Sequence, residues 1–174
     1  MIIVEGCDNT GKSTLVQKLS GDLKLLTINN RRRPESISDS WDYLYAVAPL
    51  AARFPTIADR WQPISEPIYG PICRNTQIFS LREIELQHEY LTSWDALKKP
   101  TLIFCRPPLD RILQFGTREQ MEGVIDNARR IVSAYDTEMA RLEHHTNYFN
   151  IVRWDFAHDS YDDLLSRVRE LEGQ

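Results

Sequence analysis

The run Gly6-Cys7-Asp8-Asn9-Thr10-Gly11-Lys12-Ser13 constrains the fold of this chain more than any other feature. It follows Ile2-Ile3-Val4, an apolar stretch bounded by glycine that predicts a short buried parallel strand. It precedes Thr14, Leu15, Val16 and Leu19, whose spacing predicts an amphipathic helix ending near Gly21. The glycines let backbone N–H groups turn toward one point and form an anion nest. A helix opening at Lys12 adds its N-terminal dipole to the same point. Lys12 is then placed to reach the β- and γ-phosphates of a nucleoside triphosphate, and the Ser13 hydroxyl to coordinate Mg2+. The pattern G-x-x-x-x-G-K-[ST] is complete, with Thr14 next, and a chance match at a glycine turn would lack the strand before and the helix after. Gly6 through Thr14 are therefore the triphosphate-binding candidates.

Asp8 stands out within the loop. A carboxylate among phosphate-binding amides is electrostatically costly unless it faces an incoming acceptor or a water on the metal. The alternative is a loop-stabilising Asx turn.

The rest of the chain alternates between strand and helix. Strands are expected at Leu25–Ile28, at Pro55–Ala58 running into Asp59-Arg60, at Thr101–Cys105 and at Tyr148–Val152. Helices are expected at Ser40–Ala52, about Gln77–Leu97, Leu109–Phe115, Met121–Glu143 and Ser160–Leu171. Trp61–Arg74 carries three prolines and a glycine and reads as an irregular loop. The expected fold is α/β: a parallel sheet of about five strands with helices on both faces, in three layers. With 174 residues and no repeat, low-complexity tract or linker, residues 1–174 form one domain.

Composition narrows the setting. No stretch approaches the roughly 20 apolar residues of a membrane span, and Met1-Ile2-Ile3-Val4-Glu5 runs straight into the glycine loop, which leaves no room for a signal peptide. Three widely spaced cysteines, Cys7, Cys73 and Cys105, suggest neither a disulfide framework nor a zinc cluster and fit a reducing cytoplasm. A formal net charge of −4 argues against strong non-specific polyanion binding, though it leaves room for a local basic site such as Arg31-Arg32-Arg33.

Val4-Glu5-Gly6-Cys7-Asp8-Asn9-Thr10-Gly11-Lys12-Ser13-Thr14 resembles the thymidylate-kinase form of the P-loop, with its acidic residue second after the first glycine. Asp59-Arg60-Trp61 resembles the Asp-Arg-aromatic motif closing that family's third strand, and Ser65, Tyr69 and Gly70 resemble the serine and tyrosine that come after that motif. Phe104-Cys105-Arg106-Pro107-Pro108, with Arg111 and Arg118 beyond, sits where the family has its fourth strand and arginine-bearing lid. The order of elements agrees over most of the chain.

The resemblance implies the P-loop NTPase fold, ATP as phosphoryl donor with Mg2+, and a deoxynucleotide acceptor. Arg60 would hold the acceptor phosphate or the phosphoryl group in flight, and Asp59 would act near the metal or acceptor. Ser65 and Tyr69 would line the acceptor pocket, Arg60 and Arg74 are candidates for the acceptor's 5′-phosphate, and Arg111 or Arg118 would close over the γ-phosphate. Mobile arginines and a metal are the expected tools of phosphoryl transfer. Each has a plainer reading: Arg60 as an ion-pair partner, Ser65 and Tyr69 as loop residues, Arg111 and Arg118 as a solvated helix face, Trp61 as a pocket wall. Asp155-Phe156-Ala157-His158 would border the purine, and the long helices would allow a homodimer.

The likeness has gaps. Asp59 to Ser65 is a longer spacing than the family's, Cys105 replaces an aspartate, and Arg33-Pro34-Glu35 only echoes the segment that supplies an acceptor-phosphate arginine. Ile64-Ser65-Glu66-Pro67-Ile68-Tyr69-Gly70-Pro71 and Cys105-Arg106-Pro107-Pro108 look most like relatives carried by bacteriophages, which implies the host cytoplasm. That group includes deoxynucleotide kinases and kinases that phosphorylate 5-hydroxymethyluracil within DNA. The resemblance thus implies one of two acceptors, a free thymidine-like nucleotide or a modified base in DNA, with a hydrolysing switch as a third reading.

Overall fold

The structure is a computed structural model describing residues 1–29, 34–94, 99–114, 123–144 and 148–173. Strands β1 (Ile2–Glu5), β2 (Leu26–Asn29), β3 (Thr56–Asp59), β4 (Thr101–Cys105) and β5 (Asn150–Trp154) form one sheet in the order β2-β3-β1-β4-β5. Every neighbouring pair is parallel. Helices α1 (Lys12–Leu23) and α7 (Tyr161–Glu172) cover one face; α2 (Ile37–Arg53), α3 (Gln62–Tyr69), α4 (Leu81–Thr92), α5 (Leu109–Gln114) and α6 (Ala128–His144) lie on the other. This is the three-layer α/β P-loop fold expected from the alternation of elements.

The central strand shows why both faces must be covered. All of β1 is buried, and its side chains alternate. Ile2 and Val4 join Leu15, Leu19, Leu164 and Val168 under α1 and α7. Ile3 joins Leu44, Trp61, Tyr135 and Met139 on the opposite face. Glu5 has the parity of Ile3, so its carboxylate enters the larger core.

Strand order also fixes where ligands can sit. The chain leaves β1 toward β2 and β3 on one side and later reaches β4 and β5 on the other, so β1 ends in the crevice where open α/β sheets bind ligands.

The boundaries differ from the sequence expectations in several places. α1 passes through Gly21 and ends at Lys24, which takes the left-handed conformation at φ 52°. α2 starts at Ile37 because Ser36 and Asp39 form a capping box, and α4 starts at Leu81 because Ser80 and Glu83 form another. The long helices expected over 77–97 and 121–143 are described as Leu81–Thr92 and Ala128–His144, and residues 95–98 and 121–122 fall outside the described residues.

The clearest correction is Trp61–Arg74, which is helical rather than irregular: α3 runs directly into a π-helical turn, Gly70–Arg74. Pro63 and Pro71 occupy the first positions of their segments, where no intrahelical N–H partner is needed. A Cβ on Gly70 would lie 2.5 Å from the Thr76 carbonyl oxygen, so only glycine fits where the turn closes.

Candidate functional site

The loop between β1 and α1 is a backbone cradle. Gly6 (φ 142°), Asn9 (φ 63°) and Gly11 (φ 78°) take the conformations that turn amides inward. Gly6 also has no room for a side chain, because a Cβ would stand 2.4 Å from the Cys105 carbonyl oxygen at the end of β4. The Thr10 hydroxyl donates to the Cys7 carbonyl at 2.9 Å and fixes the bend.

Lys12 is only 6% exposed, and its ammonium donates to the Cys7 carbonyl. Burial pushes its pKa below the usual lysine range, and the Arg60 guanidinium pushes the same way. A polyanion in the cradle would reverse that cost, so the lysine is poised for phosphate rather than for the protein.

Ser13 and Asp59 meet on the cleft side, the hydroxyl donating to a carboxylate oxygen at 3.0 Å. These are hard oxygen donors beside the cradle, the set that suits Mg2+, which takes few protein ligands and completes its shell with water and phosphate oxygens. The chemistry of the donors therefore fits a magnesium ion held by Ser13, with Asp59 beside it.

Arg60 is the hub. It follows the last residue of β3 with φ 75°, uncommon for a side-chain-bearing residue, while its N–H still donates to the Val4 carbonyl at 3.0 Å. The guanidinium donates to Asp8, to the Gly6 carbonyl at 3.2 Å and to the Tyr135 hydroxyl at 3.2 Å. It also lies 5.0 Å from the centre of the Tyr69 ring. Burial opposes the charge on Arg60, but Tyr135, Tyr69, Asp8 and Glu5 outweigh it and keep the group cationic.

Asp8 is gripped from two sides. Besides Arg60, the Tyr69 hydroxyl donates to its second carboxylate oxygen and accepts from its backbone N–H, both at 3.1 Å. The Asx-turn alternative gives way to a loop carboxylate tied to the strand end and to α3.

Glu5 and Tyr135 belong to the site although neither is a candidate from sequence: Glu5 reads only as part of the run leading into the glycine loop, with no role of its own. Glu5 is fully buried and accepts from the Gly6 N–H at 3.2 Å, from the Trp61 N–H, and from the Tyr135 hydroxyl at 3.0 Å. Burial raises its pKa, with Arg60 the leading opposing influence. The sign of a role for Glu5 is strand parity, a charged residue on the core face of an otherwise apolar strand. Tyr135 lies mid-helix, and nothing in the sequence ties it to Arg60.

Other candidates fall elsewhere. Ser65 is buried and donates to the Trp61 carbonyl at 3.2 Å, a bond within its own helix. Arg74 pairs with Glu66, both side chains little exposed. Trp61 is fully buried against Tyr43, so it is core rather than a pocket wall. Arg111 is exposed on α5 and donates to Gln114 at 3.2 Å. Arg118 and Arg31-Arg32-Arg33 lie outside the described residues. Phe156 stands over the cradle: a Cβ on Gly11 would meet its ring at 3.2 Å.

Asp8, Lys12, Ser13, Asp59 and Arg60 share a cleft of about 820 Å³ with the glycine loop, within the range of small-molecule sites. No helix among the described residues is long and apolar enough to cross a membrane, and Cys7, Cys73 and Cys105 are free thiols.

No protein-family profile matches the chain, and no curated protein is similar to it in sequence. Solved structures are similar in fold. The YorR protein of Bacillus subtilis, crystallised with phosphorylated GDP, is 21% identical at a TM-score of 0.71, covering 99% of this chain and 95% of that one. Thymidylate kinase from Candida albicans is 15% identical at 0.58, covering 99% and 90%. Deoxyadenosine kinase from M. mycoides, with dCMP and dCDP bound, is 13% identical at 0.56, covering 99% and 97%.

Proposed function

We propose that this chain is an ATP-dependent kinase that transfers a phosphoryl group to a thymidine-like deoxynucleotide. One observation carries the reading: Asp8 and Arg60, paired with each other and with Asp8 braced by the buried Tyr69, line the same cleft as Lys12, Ser13 and Asp59. A binding switch that only hydrolyses its nucleotide has no use for a second polar cluster at the γ-phosphate end. The thymidylate and deoxyadenosine kinases among the fold neighbours are in keeping with this chemistry.

In this reading the loop amides and Lys12 hold the β- and γ-phosphates, and Ser13 with Asp59 holds magnesium, which supplies charge neutralisation on the phosphate oxygens. Arg60 faces the charge that spreads over the transferring group. An acceptor oxygen forms the new bond to the γ-phosphorus as the bond to the β–γ bridging oxygen breaks, and ADP departs. A phosphate acceptor attacks as the anion and needs no base. A hydroxyl acceptor must lose a proton, and Asp8 beside Arg60 is positioned to take it.

A specific observation favours a second reading, in which the acceptor is 5-hydroxymethyluracil within DNA. Both arginines proposed for an acceptor 5′-phosphate already face carboxylates, Arg60 facing Asp8 and Arg74 facing Glu66. That arrangement suits an uncharged hydroxyl acceptor with a carboxylate base. The free thiols and the expected reducing environment are consistent with work in the cytoplasm.

The test uses one stock of γ-labelled ATP with magnesium, a panel of free deoxynucleoside monophosphates, and 5-hydroxymethyluracil-containing DNA. Label in thymidylate-like nucleotides supports the first reading and label in DNA the second. ATP hydrolysis that ignores every acceptor would leave only the switch.

A further inference from the structure

The cleft does not stop at the phosphate centre. Beyond Ser13 it continues between α1 and the edge strand β2, where Gln17 and Ser20 face Thr27 and Asn29. Thr27 and Asn29 flank Ile28 in sequence, and Ile28 enters the core on the far face of the sheet. Strand alternation therefore turns both polar residues toward α1. A helix over a parallel strand is expected to be apolar at the contact. Here Leu15, Val16 and Leu19 provide that contact, while Gln17 and Ser20 add a polar strip to the part of α1 that lines the cleft.

The chemistry of this arm differs from that of the cradle. Its floor is satisfied internally: Thr27 Oγ1 donates to Ser20 Oγ, and Ser20 Oγ donates to the Leu25 carbonyl, both at 3.0 Å. Its two amides, Gln17 and Asn29, are engaged by no other side chain or backbone group among the described residues. No cation among the described residues lines the arm. Lys12 and Arg60 stand at the other end of the cleft, and the Lys18 ammonium lies 3.5 Å over the Tyr161 ring instead. Among the described residues, the two open amides offer paired donors and acceptors to a base edge or sugar, and the arm's own side chains, Gln17, Ser20, Thr27 and Asn29, carry no charge to set against a phosphate.

The side of the molecule is also set. Asn29 is in register with Asp59, one strand away, whereas Phe156 meets the loop at Gly11 beyond β5. The arm thus lies on the flank opposite the aromatic residue that stands over the cradle. We propose that the groove between α1 and β2 binds an uncharged nucleoside unit on the acceptor side, read by the amides of Gln17 and Asn29. The inference rests on the kinase reading. The unit is either the acceptor's own nucleoside or its neighbour in a strand, since the chemistry is shared.

The test combines binding and turnover on the full chain. Side-chain amide signals of isotopically labelled protein are followed by NMR with a non-hydrolysable ATP analogue and magnesium present. Thymidine 5′-monophosphate is added in one arm and a thymidine pentanucleotide in the other. Shifts of Gln17 and Asn29 with the mononucleotide assign the groove to the acceptor's own nucleoside; shifts with the pentanucleotide alone assign it to a neighbouring one. In parallel, Gln17→Leu with Asn29→Leu should raise KM for the acceptor by about tenfold while KM for ATP stays within about twofold. Both positions are exposed, and a thermal melt beside the kinetics identifies any variant that fails to fold. Unmoved amide signals with both probes overturn the inference, whatever the turnover result. A wild-type protein that labels no acceptor overturns the kinase reading, and the NMR arms still decide whether the groove holds a nucleoside.

Discussion

At the scale of single residues, the site is a set of charges held against the cost of burial. Lys12 bears that cost most directly, and its burial has two measurable consequences. Replacing it by alanine should lower transfer by about a hundredfold or more, as expected for a lost donor to developing charge, while the melting temperature holds or rises because a buried ammonium is removed. Equal turnover in that variant would rule out the cradle as the catalytic site. The pH dependence has a defined sign. Burial lowers the lysine's pKa in the free protein, and bound phosphates favour the ammonium. ATP binding should therefore take up a proton and weaken as pH rises above that lowered value, measurable by calorimetry in buffers of different ionisation enthalpy. Tyr135 makes a third case, since its hydroxyl joins Glu5 to Arg60. Tyr135→Phe keeps the ring stacked on Phe104 and removes only that link. Stability should fall by about 1–3 kcal/mol in a denaturant titration, and kcat should fall more than the affinity for ATP does.

At the scale of elements, the strands and long helices are legible because periodicity and caps are local. The segment after Arg60 is not, because its prolines suggest a loop, whereas two of the three sit where a helix tolerates proline and Pro67 is carried inside α3. Pro63 sits in the first turn of α3 and Pro71 in the first turn of the π segment, and composition alone cannot distinguish that placement from a disordered run. The consequence reaches the site, since this helical segment carries Tyr69 to Asp8 and turns the Ser65 hydroxyl back onto its own backbone. Gly70 is the element's weak point. Gly70→Ala should destabilise the fold by about 1–3 kcal/mol, because a Cβ 2.5 Å from the Thr76 carbonyl forces the turn to shift. Chemical denaturation should register the loss.

At the scale of the whole molecule, stability depends on a buried histidine far from the chemistry. His88 is fully buried against Tyr148 and Phe149, and burial pushes its pKa down to about 3 from an ordinary 6.5. The unfolded chain takes up a proton below pH 6.5 and the folded one does not. Stability from this group is complete above 6.5 and is lost as pH falls toward 3, amounting to about 2 kcal/mol by pH 5. Melting temperature plotted against pH should drop through that window, and His88→Leu should flatten the drop.

The same scale shows why the contiguous part of the candidate site is visible in sequence and the rest is less so. Gly6 to Ser13 is contiguous, so its chemistry is visible as a motif, and Asp59-Arg60 is recognisable at a strand end. Glu5 and Tyr135 meet through a hydroxyl–carboxylate contact made across 130 residues of chain, which no local pattern encodes; Tyr69 is marked by resemblance, but its grip on Asp8 across 61 residues is not.

Arg60 binds a loop carboxylate, a loop carbonyl and a tyrosine of α6 through one planar group. A ligand that draws the guanidinium toward itself must loosen Asp8, and one that engages Asp8 must release Arg60. The two halves of the cleft therefore share a coupling free energy, and thermodynamic reciprocity requires it to be equal in both directions. In the kinase reading proposed above, the factor by which a bound triphosphate changes the affinity for the acceptor must also be the factor by which the acceptor changes the affinity for the triphosphate, whichever arrives first.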